Sequence, residues 1–286
     1  MAFEDVMKTV WQWTVTGQAL AALGAELTLA QSGQAAPPEI VDALRGVSLA
    51  AGIDTSDLNP QQRAVVIGLV QTFLHESADL VAEPARATGW HFTDPVILDG
   101  WGRGSMMVPA LIAAVPELQN LTSFLDIGTG VGLLAVAAAA VWPKATIVGI
   151  DIWDPSLERA HANVAQAGLS DRITIKHENL TDVTDVDAYD GIWLPSFFMT
   201  EDVLAAGLPK LLRSLRPGGS IAFGLMNIPP SPLAEAMTIL RTVRGGGAQL
   251  DAKRATELLE TAGFANVHEA PSTGPVPVSL VIGSKA

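Results

Sequence analysis

The stretch Ser123-Phe124-Leu125-Asp126-Ile127-Gly128-Thr129-Gly130-Val131-Gly132 decides the fold. Its first half is a short apolar run that stops at an acid and a glycine. It then opens into LLAVAAAAVW (133–142), a helical stretch. A strand turning through glycines into a helix begins an α/β unit. The pattern recurs: ATIVGID (145–151) is a β-branched run that again ends on an acid. A helix is expected over 155–167, strands over 172–176 and 191–194, a helix over 203–215 and a strand over 220–225. This alternation predicts a doubly wound, mostly parallel sheet with helices on both faces. A helix over 251–261 follows, capped by Gly263. FANVHEA (264–270) and VPVSLVIGS (276–284), joined by a Pro/Gly loop, read as an antiparallel C-terminal hairpin at the sheet edge. Gly245-Gly246-Gly247 reads as a flexible loop before the last helix.

Upstream the periodicity is different. Val6, Val10, Trp13, Leu20, Leu23 and Leu27 recur at helical spacing until Gly33 and Pro37-Pro38 end the run. A second helix is expected near 39–51. Asn59-Pro60 opens a third, with Val65, Leu69, Phe73 and Leu80 along one face, ending before Pro84. An all-helical domain over 1–115 thus precedes an α/β domain over 116–286. Trp11 and Trp13 are expected to pack between helices.

Composition excludes several classes. The chain has 286 residues, 49% of them hydrophobic, which rules out a disordered or fibrous protein. It has no cysteine, so disulfides, thiolate metal sites and a thiol nucleophile are excluded. Thirty acidic against seventeen basic residues repel phosphate backbones, and no nucleic-acid partner is expected. The clearest basic cluster, Lys210, Arg213 and Arg216, falls on one predicted helix. The longest apolar run, Leu133–Trp142, is ten residues, too short for a membrane span. Glu4 and Asp5 precede the first lysine, the wrong charge for a signal peptide, so a cytoplasmic protein is expected. The apolar N-terminal helices are compatible with a homodimer.

The glycine stretch lies where an open α/β sheet binds its ligand, at the carboxyl ends of the strands. A dinucleotide fingerprint spaces its glycines G-x-G-x-x-G. Here the third comes one residue early. Asp126 stands beside the loop, where a carboxylate repels a pyrophosphate and suits an ammonium or sulfonium group. Asp151 ends the next strand, 25 residues on, where an acid accepts hydrogen bonds from a ribose diol. A ligand with a ribose, positive charge and no phosphate is called for. S-adenosylmethionine (SAM) meets all three conditions, and a nicotinamide cofactor does not.

With these residues in place, the chain from 122 to 286 resembles the class I SAM-dependent methyltransferases, whose fold is Rossmann-like. FLDIGTGVG is similar to the family's first motif and VGID to its second. ITIKHENLTD resembles the segment after the third strand, and YDGIWLPSFF the fourth-strand motif. LRPGGSIAF resembles the turn and fifth strand, and AGFANV with PVPVSLVIGSKA the final hairpin. The helical region ahead of this domain resembles that of small-molecule O-methyltransferases, where such regions cover the substrate and support dimers. The resemblance implies that Gly128, Gly130 and Gly132 form the cofactor loop, with Asp126 near the methionine end and Asp151 on the ribose. It places Asn179 on the adenine amine with Leu180 beside it, Ile152 or Trp153 against the adenine ring, and Leu194 of the fourth-strand motif among the cofactor contacts.

Methyl transfer from a sulfonium is a direct displacement, in which alignment and exclusion of water supply much of the rate. A base is needed only where the acceptor must lose a proton. Many O-methyltransferases of this layout have a histidine shortly after the fourth strand. Residues 195–202, PSFFMTED, contain none. That absence keeps a second reading open, a SAM-binding protein that does not methylate. Among the five histidines, His91 in the polar, aromatic stretch GWHFTDP is the best base candidate, with Asp94 close behind. His75, beside Glu76 on a helix, reads as solvated. Arg103, in WGRGSMM (101–107), is a candidate partner for the cofactor's carboxylate. Trp90, Phe197, Phe198, Met199 and Met226 are expected to line a pocket for a small-molecule acceptor. No spacing reads as a metal site.

Overall fold

The computed structural model describes residues 2–227, 231–271 and 278–286. The chain divides into two compact units, one of residues 1–84 and 94–104, the other of residues 85–93 and 105–286. The second unit thus takes a short segment, 85–93, out of the otherwise helical N-terminal region. The sequence boundary at 115/116 lies eleven residues beyond the division at 104/105.

The first unit contains α1 (Phe3–Ser32), α2 (Pro38–Ala50), α3 (Pro60–Ala82) and most of α4 (Pro95–Ser105). Gly33, left-handed at φ 66°, ends α1. Asn59 starts α3 with a reciprocal capping box. Its side chain accepts from the Gln62 amide at 2.9 Å, and the Gln62 side chain accepts from the Asn59 amide at 2.9 Å. Gly24 of α1 brings the helix against Val70 of α3, where a β-carbon would come within 2.8 Å of the valine. The Glu26 carboxylate accepts from the hydroxyls of Ser48 and Thr55, fastening α1 to α2 and the loop after it.

The stretch WGRGSMM lies mostly on α4, which Asp94-Pro95 opens, an acid capping a helix with proline at its first position. Two expectations change here. Trp11 and Trp13 are mostly exposed, at 65% and 59%, rather than buried between helices. Finally, α3 is long and apolar enough to cross a membrane by length and composition, although no uninterrupted apolar run announces it.

The second unit carries β1 (Ser123–Ile127), β2 (Thr146–Asp151), β3 (Ile173–His177), β4 (Tyr189–Pro195), β5 (Leu215–Met226), β6 (Ala265–Glu269) and β7 (Val278–Ser284). The helices α5 (Val108–Ala113), α6 (Leu133–Val141), α7 (Asp154–Gln166), α8 (Glu201–Ser214), α9 (Pro232–Arg244) and α10 (Ala252–Thr261) surround them. The strand order is β3-β2-β1-β4-β5-β7-β6. The first five strands are parallel, and β7 runs antiparallel to both β5 and β6. This is the expected Rossmann-like sheet with antiparallel C-terminal strands. The Pro/Gly connection between the last two strands falls on 272–277, outside the described residues.

Side chains alternate across the sheet, as the strand period requires. Phe124 joins one buried cluster with Trp142, Ile147 and Ile282; Leu125 and Ile127 join another with Ile192, Leu194 and Phe223. The chain order reverses between β1 and β4, which opens the crevice at their carboxyl ends. The helix α9 was not legible as such, although Ser231-Pro232 is a cap followed by proline. Arg216 lies on β5 rather than on the helix with Lys210 and Arg213, and pairs with Asp190 at 2.8 Å.

Candidate active site

The loop between β1 and α6 is held by the two acids read from the sequence. The Thr129 hydroxyl donates to Asp126 at 2.7 Å, and the Thr129 amide donates to the Ile150 carbonyl at 3.0 Å. The Gly130 amide donates to Asp151 Oδ2 at 2.8 Å. Oδ1 of the same carboxylate accepts from the amides of Ile152 and Trp153, at 2.7 and 2.9 Å. Gly128, Gly130 and Gly132 all have positive φ, a conformation that side chains disfavour. Gly132 also meets α7, where a β-carbon would lie 3.1 Å from that of Ala160.

This geometry sorts the ligand. A phosphate would need the loop amides, but the Gly130 amide already serves a carboxylate. Asp126 is 1% exposed, and burial pushes its carboxyl up to about 7 despite the Thr129 hydrogen bond. Burial also raises the Asp151 carboxyl, against the three amide donors that favour its charged form. A cation placed beside the pair relieves both penalties. The residues present therefore fit a cationic nucleoside better than a diphosphate.

The remaining cofactor candidates divide. Ile152 is exposed, and Trp153 is part-buried beside it. Asn179 caps the short turn after β3, its side-chain oxygen accepting from the amide and hydroxyl of Thr181, each at 3.0 Å. Leu180 and Leu194 are buried in the second core cluster. Leu180 packs where a β-carbon on Gly207 would intrude.

An aromatic wall stands beside the loop. Trp90 meets Phe92 and Phe198 edge to face, each at 5.1 Å, and Phe198 meets Phe197 at 4.7 Å. Met199 and Pro195 come within 3.6 Å of the place a β-carbon on Gly128 would take, linking the wall to the loop. Phe197 and Met199 also pack against the two core clusters. Met226 ends β5 opposite Val278 and is part-buried. His91, exposed, presents its ring to Trp153 at 6.3 Å and 86°. Of the predicted acceptor residues, the structure brings together Trp90, Phe197, Phe198 and Met199.

Sequence reasoning missed three parts of this wall. Phe92 lies within GWHFTDP but was passed over for its neighbours. Arg86 sits over the Phe92 ring, 4.5 Å from its centroid. Gly245-Gly246-Gly247 is a close-approach device: a β-carbon on Gly247 would lie 2.0 Å from the Phe197 carbonyl, and one on Gly246 2.9 Å from Gly89. Glycine runs mark close contact as readily as flexibility.

Asp94 and Arg103 belong to the helical unit. Asp94 bonds to His75 at 2.6 Å, and that bond holds its carboxyl below the usual range. His75 is therefore paired rather than merely solvated. Arg103 lies 3.7 Å from Asp99, one turn earlier on α4. Among the described residues no group of three or more His, Asp or Glu could hold a metal ion.

Residues 124–219 match the family described as "Methyltransferase domain". Over 137 residues the chain is 31% identical to the ribosomal protein uL3 glutamine methyltransferase of Bordetella pertussis, covering 46% of each chain. Over 86 residues it is 37% identical to the tRNA1(Val) (adenine(37)-N6)-methyltransferase of Vibrio campbellii, covering 30% of this chain and 32% of that one. The chain thus spans less than half the length of these relatives. In structure it is similar to human N-acetylserotonin methyltransferase in complex with SAM, with a TM-score of 0.70 at 13% identity over the whole of both chains. It is also similar to the mitomycin 7-O-methyltransferase MmcR, with a TM-score of 0.67 at 19% identity, covering 99% of this chain and 98% of that one. At those identities the likeness is one of fold. Residues 124–219 thus match a methyltransferase domain, and the motifs and strand order around them resemble those of the class I SAM-dependent methyltransferases.

Proposed function

We propose that this protein transfers a methyl group from SAM to an oxygen or nitrogen of a small-molecule acceptor. The observation that carries the reading is the carboxylate cap on the loop, Gly130 to Asp151 at 2.8 Å, with Asp126 buried behind it. Bound there, SAM supplies an activated methyl carbon, and its displacement requires no nucleophile from the chain. Asp151 has four acceptor positions and three amide donors, which leaves room for a ribose hydroxyl. Ile152 or Trp153 flanks the adenine, and Asn179 faces its amine. Trp90, Phe92, Phe197 and Phe198 hold the acceptor and keep water out, so that alignment supplies most of the acceleration. Their π faces also favour positive charge beside them. Where the acceptor is a hydroxyl, His91 takes its proton.

The formal charge of −13 favours a small acceptor over RNA. So does the whole-chain likeness of fold to a mitomycin O-methyltransferase. The relatives found by sequence are named for protein and tRNA substrates, so the acceptor must be tested against both. The test is transfer of label from methyl-labelled SAM to a panel of aromatic alcohols and amines, with bulk tRNA and ribosomal protein in parallel. Label in the small molecules supports the proposal; label only in the macromolecules overturns the acceptor class. The second reading, a SAM-binding protein that does not methylate, is favoured by the absence of histidine from 195–202. Binding of SAM with no transfer to any acceptor selects it. A homodimer is part of the proposal, supported by Val6, Val10, Trp11 and Trp13, all exposed on α1.

A further inference from the structure

The segment 85–93 has no regular secondary structure, yet it carries Arg86, Trp90, His91 and Phe92 of the aromatic wall. Something must fix its position for the wall to have a shape. One tie is the Gly89 amide, which donates to the Arg244 carbonyl at 2.9 Å where α9 ends. The other comes from the cofactor side: the Trp153 indole N–H donates to the Phe92 carbonyl at 2.7 Å, across 61 residues of sequence. Trp153 is itself fixed at its backbone, its amide donating to Asp151 Oδ1 at 2.9 Å. Asp151 in turn holds the Gly130 amide. A continuous line of hydrogen bonds therefore runs from the glycine loop through Asp151 and Trp153 to Phe92. The segment returns the contact, with the His91 ring edge-on to the same indole and Phe92 against Trp90, which meets Phe198.

We propose that Trp153 is a positioning residue: its indole hydrogen bond to the Phe92 carbonyl makes the placement of the acceptor wall depend on occupation of the nucleoside site. A nucleoside that stacks on the indole and bonds to Asp151 restricts both ends of this line, and segment 85–93 loses freedom with them. The acceptor then meets a finished wall only when the cofactor is bound. The inference rests on the cofactor reading above and adds an order of assembly to it.

Hydrogen exchange of the full chain, read by mass spectrometry on peptides covering 85–93 and 123–132, tests it. The probe is S-adenosylhomocysteine at saturation, as established for each protein by calorimetry. In the wild type, exchange of both peptides is expected to slow on binding, that of 85–93 by about tenfold. In Trp153→Phe, which keeps an aromatic face and loses the donor, 123–132 should still slow while 85–93 does not respond. An equal response of 85–93 in both proteins overturns the proposal, as does a wild type that binds the probe without protecting that segment. If the wild type does not bind the probe at all, the cofactor reading fails separately. The unliganded proteins then decide: faster exchange of 85–93 in Trp153→Phe supports the tie, and equal rates overturn it. Should Trp153→Phe not fold, the wild-type comparison with and without the probe stands alone.

Discussion

The amide of Gly130 and the carboxylate of Asp151 lie 2.8 Å apart, so the residue ending the second strand caps the loop that follows the first. One acid thus shapes the cradle, and in the proposed reading it also bonds to what enters it. Asp151→Ala removes both functions. Cofactor affinity should fall by about 1–3 kcal/mol, the range for a hydrogen bond to a charged group. Calorimetric titration of the variant with SAM checks this, and unchanged affinity would remove the ribose role.

Asp126 gives a pH dependence with a definite sign. Its carboxyl is raised from 3.8 to about 7 by burial. Between those values the folded chain binds more protons than the unfolded one, so this group's stabilisation is complete below about pH 4 and is lost as pH rises to 7. A shift of roughly three units corresponds to something on the order of 4 kcal/mol. Asp126→Asn should therefore stabilise the unliganded protein at pH 8 and change it little at pH 4, as read by denaturant melts. The same ionisation should favour a sulfonium. The preference for SAM over its uncharged-sulfur product should grow as pH passes 7 in the wild type and stay flat in the variant.

Gly247 has no room for a side chain. A β-carbon there meets the Phe197 carbonyl at 2.0 Å, and backbone cannot move aside as a flexible side chain can. Gly247→Ala should cost about 1–3 kcal/mol, as overpacking does. It should also disturb the wall around Phe197 and Phe198. Thermal melting measures the first effect and acceptor KM the second; a variant as stable as the wild type would contradict the close approach.

The helix α1, on which Trp11 and Trp13 are exposed, is a candidate dimer element. Replacing both with glutamate should convert a sedimenting dimer to monomer without loss of helix content, since both residues are mostly exposed. A wild type that sediments as monomer at tens of micromolar, a concentration at which a stable interface would be occupied, removes the dimer from the proposal.

The sheet was legible because its strands are short apolar runs punctuated by acids and glycines. The loop 126–132 was legible because few backbone ligands tolerate that residue order. What escaped was set by tertiary contact. β5 begins at Leu215, not near Ser220, because Leu215 pairs with Tyr189 of β4 across a register shift. Leu194 was read toward the cofactor, but strand alternation turns it into the core. Segment 85–93 carried a readable cluster of aromatics, yet its partners Trp153 and Phe198 lie more than sixty residues away and share no local pattern with it. The Gly245–Gly247 run looked like freedom because sequence does not display the Phe197 carbonyl that demands it.

The central claim is that the cradle at 126–132 grips a positively charged nucleoside. Isothermal titration of the full chain with SAM, S-adenosylhomocysteine and NAD at pH 8 tests it most directly. The account predicts micromolar binding of the first two, tighter for SAM, and no heat from NAD. Binding of NAD, or silence from both adenosyl ligands, would contradict it.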